Sequence, residues 1–160
     1  MRILFDIEDK PGTWFPFQTS TVKPDGEVIF DPPESDTPEN PVPKFCIRQA
    51  EADFFKELHK VTRTKRVEQV WDPKNRRPHR QEFYDQTPEQ LEQEIEAIWD
   101  HTITDWSNVP DKEGKLIPCE KDFKVKLLDR VPAVHRFYQK CLKELAENSG
   151  VIREEENENL

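Results

Sequence analysis

The chain has 160 residues, a length typical of one domain, and a formal net charge of −9 at pH 7. Its apolar fraction is 34% and its charged fraction is 36%, so the sequence predicts a modest core under an extensive polar surface. The acidic balance argues against a general nucleic-acid binder, and no apolar run approaches the roughly 18–20 residues that a membrane helix needs.

The first 45 residues predict a small antiparallel β-meander. Eight of the 14 prolines lie in this segment and exclude long helices there. Runs rich in β-branched and aromatic residues predict short strands at 3–7, 13–18 and 27–31, with a turn at Pro24-Asp25-Gly26. Residues 31–43 are polar and proline-rich, which predicts a surface linker or a mobile loop.

Residues 46–86 predict a helix followed by a basic hairpin. Phe45-Cys46-Ile47 favours one more strand, and residues 49–60 have the apolar spacing of a short amphipathic helix. Residues 61–71 and 79–84 alternate in part, which predicts two paired strands joined by an open turn.

A strong helix start follows at Thr87. Thr87 and Gln90 have the spacing of a capping box, and Pro88 occupies the first helical position, where no donor is lost. The helix is predicted to end near Ile103. Its apolar stripe comprises Leu91, Ile95, Ile98, Trp99 and Thr102. The glutamates predicted to face water are Glu92, Glu94 and Glu96.

The remaining chain predicts a loop and two more helices. The loop has a tight turn at Gly114, and residues 120–129 form a short helix. A longer helix begins at Pro132 and is predicted to stop at Ser149-Gly150. The acidic tail over residues 151–160 is predicted to be disordered.

These elements predict an α+β fold. An N-terminal antiparallel β-meander and a basic β-hairpin precede a compact three-helix C-terminal part. Residues 1–150 are predicted to form a single domain. It comprises a proline-rich β part over 1–45, a helix and hairpin over 46–86, and a helical part over 87–150.

The largest charge asymmetry lies in the basic hairpin. Eight basic and two acidic residues between Lys60 and Arg80 give a local charge of +6. Such a hairpin could hold a nucleic-acid backbone, meet an acidic face of a protein partner, or be a solvated hairpin whose cations protect an edge strand. The predicted basic patch comprises Arg63, Lys65, Arg66, Lys74, Arg76, Arg77 and Arg80.

No catalytic, metal or cofactor site is predicted. The four histidines and three cysteines lack H-x-x-x-H, H-E-x-x-H and C-x-x-C spacings, and the four glycines are too isolated for a phosphate loop. Cys141 is predicted to be a core residue, and a Cys/His pair assembled by the fold is the remaining catalytic alternative. The odd, dispersed cysteines and the early acid at Asp6 predict a reducing compartment and no signal peptide.

The run Trp14-Phe15-Pro16-Phe17 places three aromatic rings in four positions. They cannot all enter one small core, so at least one ring is predicted to be exposed or covered by a partner. The alternative is that Phe15 and Phe17 line one face while Trp14 is half-buried.

Several motifs resemble small tail-region proteins of tailed bacteriophages and prophages. They are Ile103-Thr104-Asp105-Trp106, then Asp111 to Cys119, then Lys124, Leu127-Leu128, Pro132, Phe137 and Cys141-Leu142. Upstream, a Trp-Phe-x-Phe-Gln start, Cys46-Ile47-Arg48 and Ala97-Ile98-Trp99-Asp100 occur in the same order. The resemblance spans most of residues 13–146, with Glu120 where a Ser or Thr helix cap is expected.

The resemblance implies a noncatalytic tail assembly chaperone in the host cytoplasm, with a tape-measure or tail tube protein as its partner. Self-association into a homo-oligomer stays open. The first alternative is a structural virion protein of the neck or tail; a nucleic-acid binder using the basic hairpin is the second. The side chains expected to form a partner-binding groove are Trp14, Phe15, Trp99, Trp106 and Phe137.

Overall fold

The computed structural model describes residues 12–158, with side chains up to residue 148, and has the predicted α+β fold. The described strands are β1 Thr13–Pro16, β2 Ser20–Val22, β3 Val28–Phe30, β4 Lys44–Ile47, β5 Thr64–Asp72, β6 Arg77–Asp85 and β7 Ile103–Ser107. The helices are α1 Ala52–Thr62, α2 Pro88–Thr102, α3 Lys121–Arg130 and α4 Pro132–Glu158. The strand predicted over residues 3–7 lies outside the described residues.

The chain divides into two compact units. The first unit combines the described residues up to Gln49 with those from Trp99 onward, and the second consists of residues 50–98. Helix α2 therefore begins in the second unit and ends in the first, so the three C-terminal helices do not form one separate helical part.

The first unit contains a three-stranded antiparallel sheet in the order β1-β4-β7. Phe15 on β1 lies opposite Phe45 on β4, which lies opposite Trp106 on β7. The predicted β-meander is therefore wrong at β1, because β1 pairs with β4, about 30 residues further along the chain, rather than with its sequence neighbour. Alternation within a strand shows which face is apolar but does not identify the partner strand.

A separate two-stranded hairpin joins β2 to β3. Its turn uses the predicted Pro24-Asp25-Gly26, with Gly26 at a positive φ of 90° and its amide donating to Lys23 O at 2.9 Å. The strand before the turn is Ser20–Val22, which the sequence did not predict. Residues 31–43 form no helix or strand, and residues 31–41 are exposed, as expected for a surface loop.

The core of the first unit packs the sheet against α3 and α4. The predicted stripe of α4 is confirmed: Val134, Phe137, Tyr138 and Cys141 are all buried. From α3, Leu128 is buried, and Phe123 and Leu127 pack at the margin. The other buried members of this cluster are Phe45, Ile47, Ile103, Trp106 and Val109.

The second unit consists of α1, the β5–β6 hairpin and most of α2. The predicted basic hairpin is confirmed, and its strands pair in register from Thr64 opposite Asp85 to Asp72 opposite Arg77. Leu58 and Thr62 on α1 are buried. Glu94 is also buried, with only 6% of its surface exposed, so the prediction that it faces water is wrong.

The starts of α2 and α3 differ in whether a side chain caps the helix. The capping box at Thr87 is confirmed: Gln90 N donates to Thr87 Oγ1 at 3.1 Å, and Thr87 N donates to Gln90 Oε1 at 2.9 Å. Glu120 precedes α3 without a side-chain cap hydrogen bond.

Helix α4 continues to Glu158, so the predicted stop at Ser149-Gly150 is wrong. One glycine costs a helix interior about 1 kcal/mol and does not end it. The tail predicted to be disordered over residues 151–160 is helical as far as Glu158, and residues 159–160 lie outside the described residues. Among the described residues, none of the helices combines the length and apolarity that crossing a bilayer requires.

Candidate partner-binding surfaces

The five aromatic side chains expected to form a groove do not share one surface. Phe137 is 1% exposed and Trp106 is 6% exposed, and both rings pack against Phe45, with centroid distances of 5.7 and 6.0 Å. These two residues are core residues, so their predicted role as partner-binding residues is not supported by their position. Apolar stripes of this kind are filled by the protein's own packing before a partner can use them.

The other three predicted groove residues lie nearer the surface. Phe15 on β1 and Phe45 on β4 lie on the same face of the sheet, and Phe15 packs at the margin of the core. Trp14 points to the opposite face of the sheet and is 44% exposed. Phe17 joins the core edge-on to Phe137, at 5.2 Å between centroids. The aromatic run therefore divides as the alternative stated, with two rings inward and one half-exposed. Trp99 is half-buried beside His135.

The motif that carries the family resemblance builds the fold. Trp106 donates from Nε1 to Ile117 O at 2.7 Å, which ties strand β7 to the loop that follows it. Asp111 closes that loop by accepting from the amides of Glu113 and Lys115, and Gly114 supplies the positive φ. Because these residues are occupied in packing and turn formation, the motif marks the architecture rather than a binding face.

The β5–β6 hairpin, called the ribbon below, is exposed along both faces except at Val70, Asp72 and Phe83. Its cations differ in their partners. Lys65 Nζ lies 2.8 Å from Glu82, and Arg66 pairs with Asp85 and Glu68 while covering the ring of Phe83. The base of the ribbon is thus neutralised by its own carboxylates.

Towards its turn the ribbon carries unneutralised charge. We call this end the basic tip. It comprises Trp71, Lys74, Arg76, Arg77, Pro78 and Arg80. Within the described part of the chain, none of its four cations forms a salt bridge. Trp71 is 61% exposed in the middle of them.

A cleft of about 540 Å³ lies beside the base of the ribbon in the second unit. Its lining residues are Lys56, His59, Lys60, Arg63, Lys65 and Tyr84. Most of the cleft's charge is already paired: Lys60 with Glu57, Arg63 with Glu94, and Lys65 with Glu82. Of these residues, the predicted basic patch contains Arg63 and Lys65. Lys56 was not singled out, because α1 and the ribbon are separate patterns until they fold together.

Glu94 organises the wall of this cleft. Its Oε1 accepts from Arg63 Nε at 3.2 Å and from Thr62 Oγ1 at 3.2 Å, and lies 3.3 Å from His59 Nε2. Burial alone would raise the pKa of Glu94, but hydrogen bonds from Gln86, Arg63 and Thr62 outweigh it and leave the pKa lowered. Glu94 lies four residues before the half-buried Ile98, on the same side of α2, a spacing that could have placed it on the inner face.

A second cleft, of about 410 Å³, lies between the β2–β3 hairpin and α4 in the first unit. Val28 and Phe30 form its apolar wall. Lys140 lies over the Phe30 ring and pairs with Glu144, and Arg136 donates from Nε to Ser20 Oγ at 2.9 Å. The cations here also serve the fold, since they join the hairpin to the helix.

The cysteines are placed as packing residues. Cys46 and Cys141 are fully buried, and burial raises the pKa of Cys141 to about 12 and that of half-buried Cys119 to about 11. Both thiols therefore stay protonated at neutral pH, where a nucleophile would need the thiolate. Across the described residues there is no group of three or more His, Cys, Asp or Glu that could hold a metal ion.

Comparison with known proteins finds no matching family model, no matching curated protein and no matching solved structure.

Proposed function

We propose that the chain is a noncatalytic phage tail assembly chaperone that binds a tail tube or tape-measure protein while the tail is being built. The supporting observation is the number of large apolar side chains left on its surface. The most exposed of those described are Trp14, Val22, Val61, Trp71, Tyr84, Leu91 and Leu116. Exposed aromatic side chains such as Trp14, Trp71 and Tyr84 are of the residue types enriched in protein–protein interfaces.

The surroundings of these side chains suit a transient partner. They are interspersed with charged residues, in a chain whose charged fraction is 36%. Interfaces that form and release are about as polar as the rest of the surface, whereas permanent ones are more apolar. A chaperone that must release its client before polymerisation needs the first kind. The identity of the client as a tail protein comes from the sequence resemblance.

Co-expression tests the proposal directly. The full chain carrying an affinity tag is co-expressed with the tail tube protein, or with the tape-measure protein, encoded beside it. We expect one of the two to be captured and its soluble fraction to rise at least about two-fold. A capsid protein of the same phage serves as the control client. Failure to capture either tail protein would overturn the proposal.

Purified virions distinguish the chaperone from the structural alternative. A chaperone acts before the tail is complete, so we expect mass spectrometry to find the chain in infected-cell lysate and not in purified particles. Recovery of the chain from particles in proportion to the other tail subunits would instead identify a structural protein of the neck or tail.

A further inference from the structure

The structure divides the predicted basic patch into two parts with different electrostatic roles. At the ribbon base, Lys65 and Arg66 face carboxylates of the same ribbon, and Arg63 is held by Glu94 on α2. These ion pairs remove net charge locally. Within the predicted patch, the basic tip is the part whose described cations form no salt bridge.

The basic tip also includes one carboxylate, that of Asp72, which accepts hydrogen bonds within the turn. Asp72 accepts from Asn75 Nδ2 at 2.7 Å and from the amide of Lys74 at 3.0 Å. These hydrogen bonds, with that of Asn75 the largest cause, lower the pKa of Asp72, so it stays ionised at neutral pH. Four cations against this one carboxylate leave the tip with a net charge of +3.

The strand register places an apolar platform beside these cations. Trp71 lies opposite Pro78, and Gln69 lies opposite Arg80, which puts Trp71, Pro78 and Arg80 on one face of the ribbon. An exposed Trp surrounded by Arg has the composition of an interface hot spot. Arg also suits such a site better than Lys, because its planar guanidinium binds a carboxylate through two hydrogen bonds.

The extent of the tip favours a protein partner over nucleic acid. The cations that form no salt bridge occupy the turn and the four residue pairs next to it, roughly 10 Å of strand. A nucleic-acid strand following the ribbon further would meet Glu68, Glu82 and Asp85. Four cations neutralise about four phosphates at most, whereas proteins that bind DNA by its backbone use about 6–10.

We propose that the basic tip docks onto an acidic patch of a protein partner, with the Trp71 ring entering an apolar depression in that patch. Opposed charge orients the encounter, and burial of the ring slows dissociation. That the partner is a tail protein rests on the proposed function, whereas the surface and its chemistry do not.

Two variants and one control isolate the tip. The test variants are the triple substitution Arg76→Glu, Arg77→Glu, Arg80→Glu and the single substitution Trp71→Ala. The matched control, Lys112→Glu, Lys115→Glu, Lys121→Glu, makes the same charge change at exposed lysines of the first unit. Far-UV circular dichroism and thermal unfolding establish that all three variants fold.

The probe is a fluorescent synthetic peptide in which Asp and Glu alternate with Leu, used beside a fluorescent duplex DNA. We expect the peptide to bind the unaltered chain, the triple variant to weaken binding about ten-fold or more, and the control to change it less than about two-fold. Trp71→Ala should weaken binding of the Leu-containing peptide by about five-fold or more. Binding of an acidic peptide with Ser in place of Leu should stay almost unchanged.

Other outcomes overturn the inference. Absence of peptide binding, or equal loss in the triple variant and the control, removes the basic tip as a docking surface. DNA binding tighter than peptide binding, with a steep fall between about 50 and 200 mM salt, would instead identify a nucleic-acid site.

Repeating the co-expression with the triple variant separates the two proposals. Loss of tail-protein capture in the triple variant supports both proposals. If the triple variant captures the tail protein as well as the unaltered chain does, the basic tip is not the docking site for that protein, whereas the proposed function is unaffected. If the peptide binds through the basic tip but no tail protein is captured, the proposed function is overturned, whereas the basic tip remains a docking surface.

Discussion

At the scale of single residues, Glu94 is the largest difference between expectation and structure. It was expected in water beside Glu92 and Glu96, yet it is buried and accepts hydrogen bonds from α1. A buried carboxylate is stable only when its oxygens are satisfied. Arg63, predicted as part of a binding patch, is one of the donors and so contributes to the fold.

Substituting Glu94 by Gln should destabilise the second unit by about 1–3 kcal/mol at neutral pH, because the neutral amide removes the negative charge that strengthens the hydrogen bonds from Arg63 and Thr62 and places an NH2 donor where a carboxylate oxygen was. Denaturant unfolding monitored by fluorescence measures the change. Glu92→Gln, two residues away on the exposed face of α2, is the matched control and should change stability by less than about 0.5 kcal/mol. Equal effects of the two variants would contradict the assigned role of Glu94.

The pH dependence of this contribution has a definite sign. Because the pKa of Glu94 is lowered by folding, its contribution is fully present above the ordinary value of 4.5 and is lost as the pH falls through the folded pKa. The stability difference between the unaltered chain and Glu94→Gln should therefore shrink as the pH falls below 4.5. A difference that grows on acidification would contradict the hydrogen-bond assignment.

At the scale of the elements, the local patterns locate strands and helices but do not specify their pairing. The run from Thr13 was expected to pair with its neighbours in the chain, and it pairs with β4 instead. Gly12 makes this approach feasible. Its φ is 111°, and a Cβ built there would lie 2.6 Å from the carbonyl oxygen of Ile47.

Gly12→Ala should therefore destabilise the first unit more than Gly26→Ala does. Both glycines have positive φ, so each Ala brings roughly 1 kcal/mol or more of backbone strain. Only at Gly12 does the new methyl group meet backbone, since a Cβ at Gly26 has nothing within 4 Å. The clash should add about 1–3 kcal/mol, measured by denaturant unfolding. Equal losses in the two variants would contradict the close approach of β1 to β4.

At the scale of the whole molecule, stability is concentrated in the first unit. Its core cluster contains ten buried residues, centred on β4, where Phe45, Cys46 and Ile47 are all at most 3% exposed. The ribbon, in contrast, is an exposed two-stranded element, and such hairpins are marginally stable in water. A surface that adapts to a partner is expected in the less stable part of a protein.

Amide hydrogen exchange should show this difference. We expect the amides of β4 to exchange about a hundred-fold more slowly than those of the ribbon near its turn, a difference of about 2.7 kcal/mol in opening free energy. Mass spectrometry of peptic fragments resolves the two regions. Equal protection of residues 44–47 and 69–80 would contradict this distribution of stability.

Much of the fold and less of the candidate surface could be predicted from the sequence. The capping box at Thr87, the stripe of α4 and the basic ribbon were predicted correctly, because each depends on residues close in the chain. The aromatic groove was not, since whether Trp106 and Phe137 face a partner or a core depends on what packs against them. The free and the neutralised halves of the basic patch likewise separate only when Arg63 meets Glu94 and Arg66 meets Asp85.

The α+β class, the helix starts, the ribbon and its concentration of positive charge follow from the amino-acid sequence, because spacing and local hydrogen bonding carry that information. Which strands pair, which aromatic rings are buried and which cations remain available to a partner become clear only in the folded chain. Those outcomes depend on contacts between residues far apart in the chain, and neither periodicity nor composition records them.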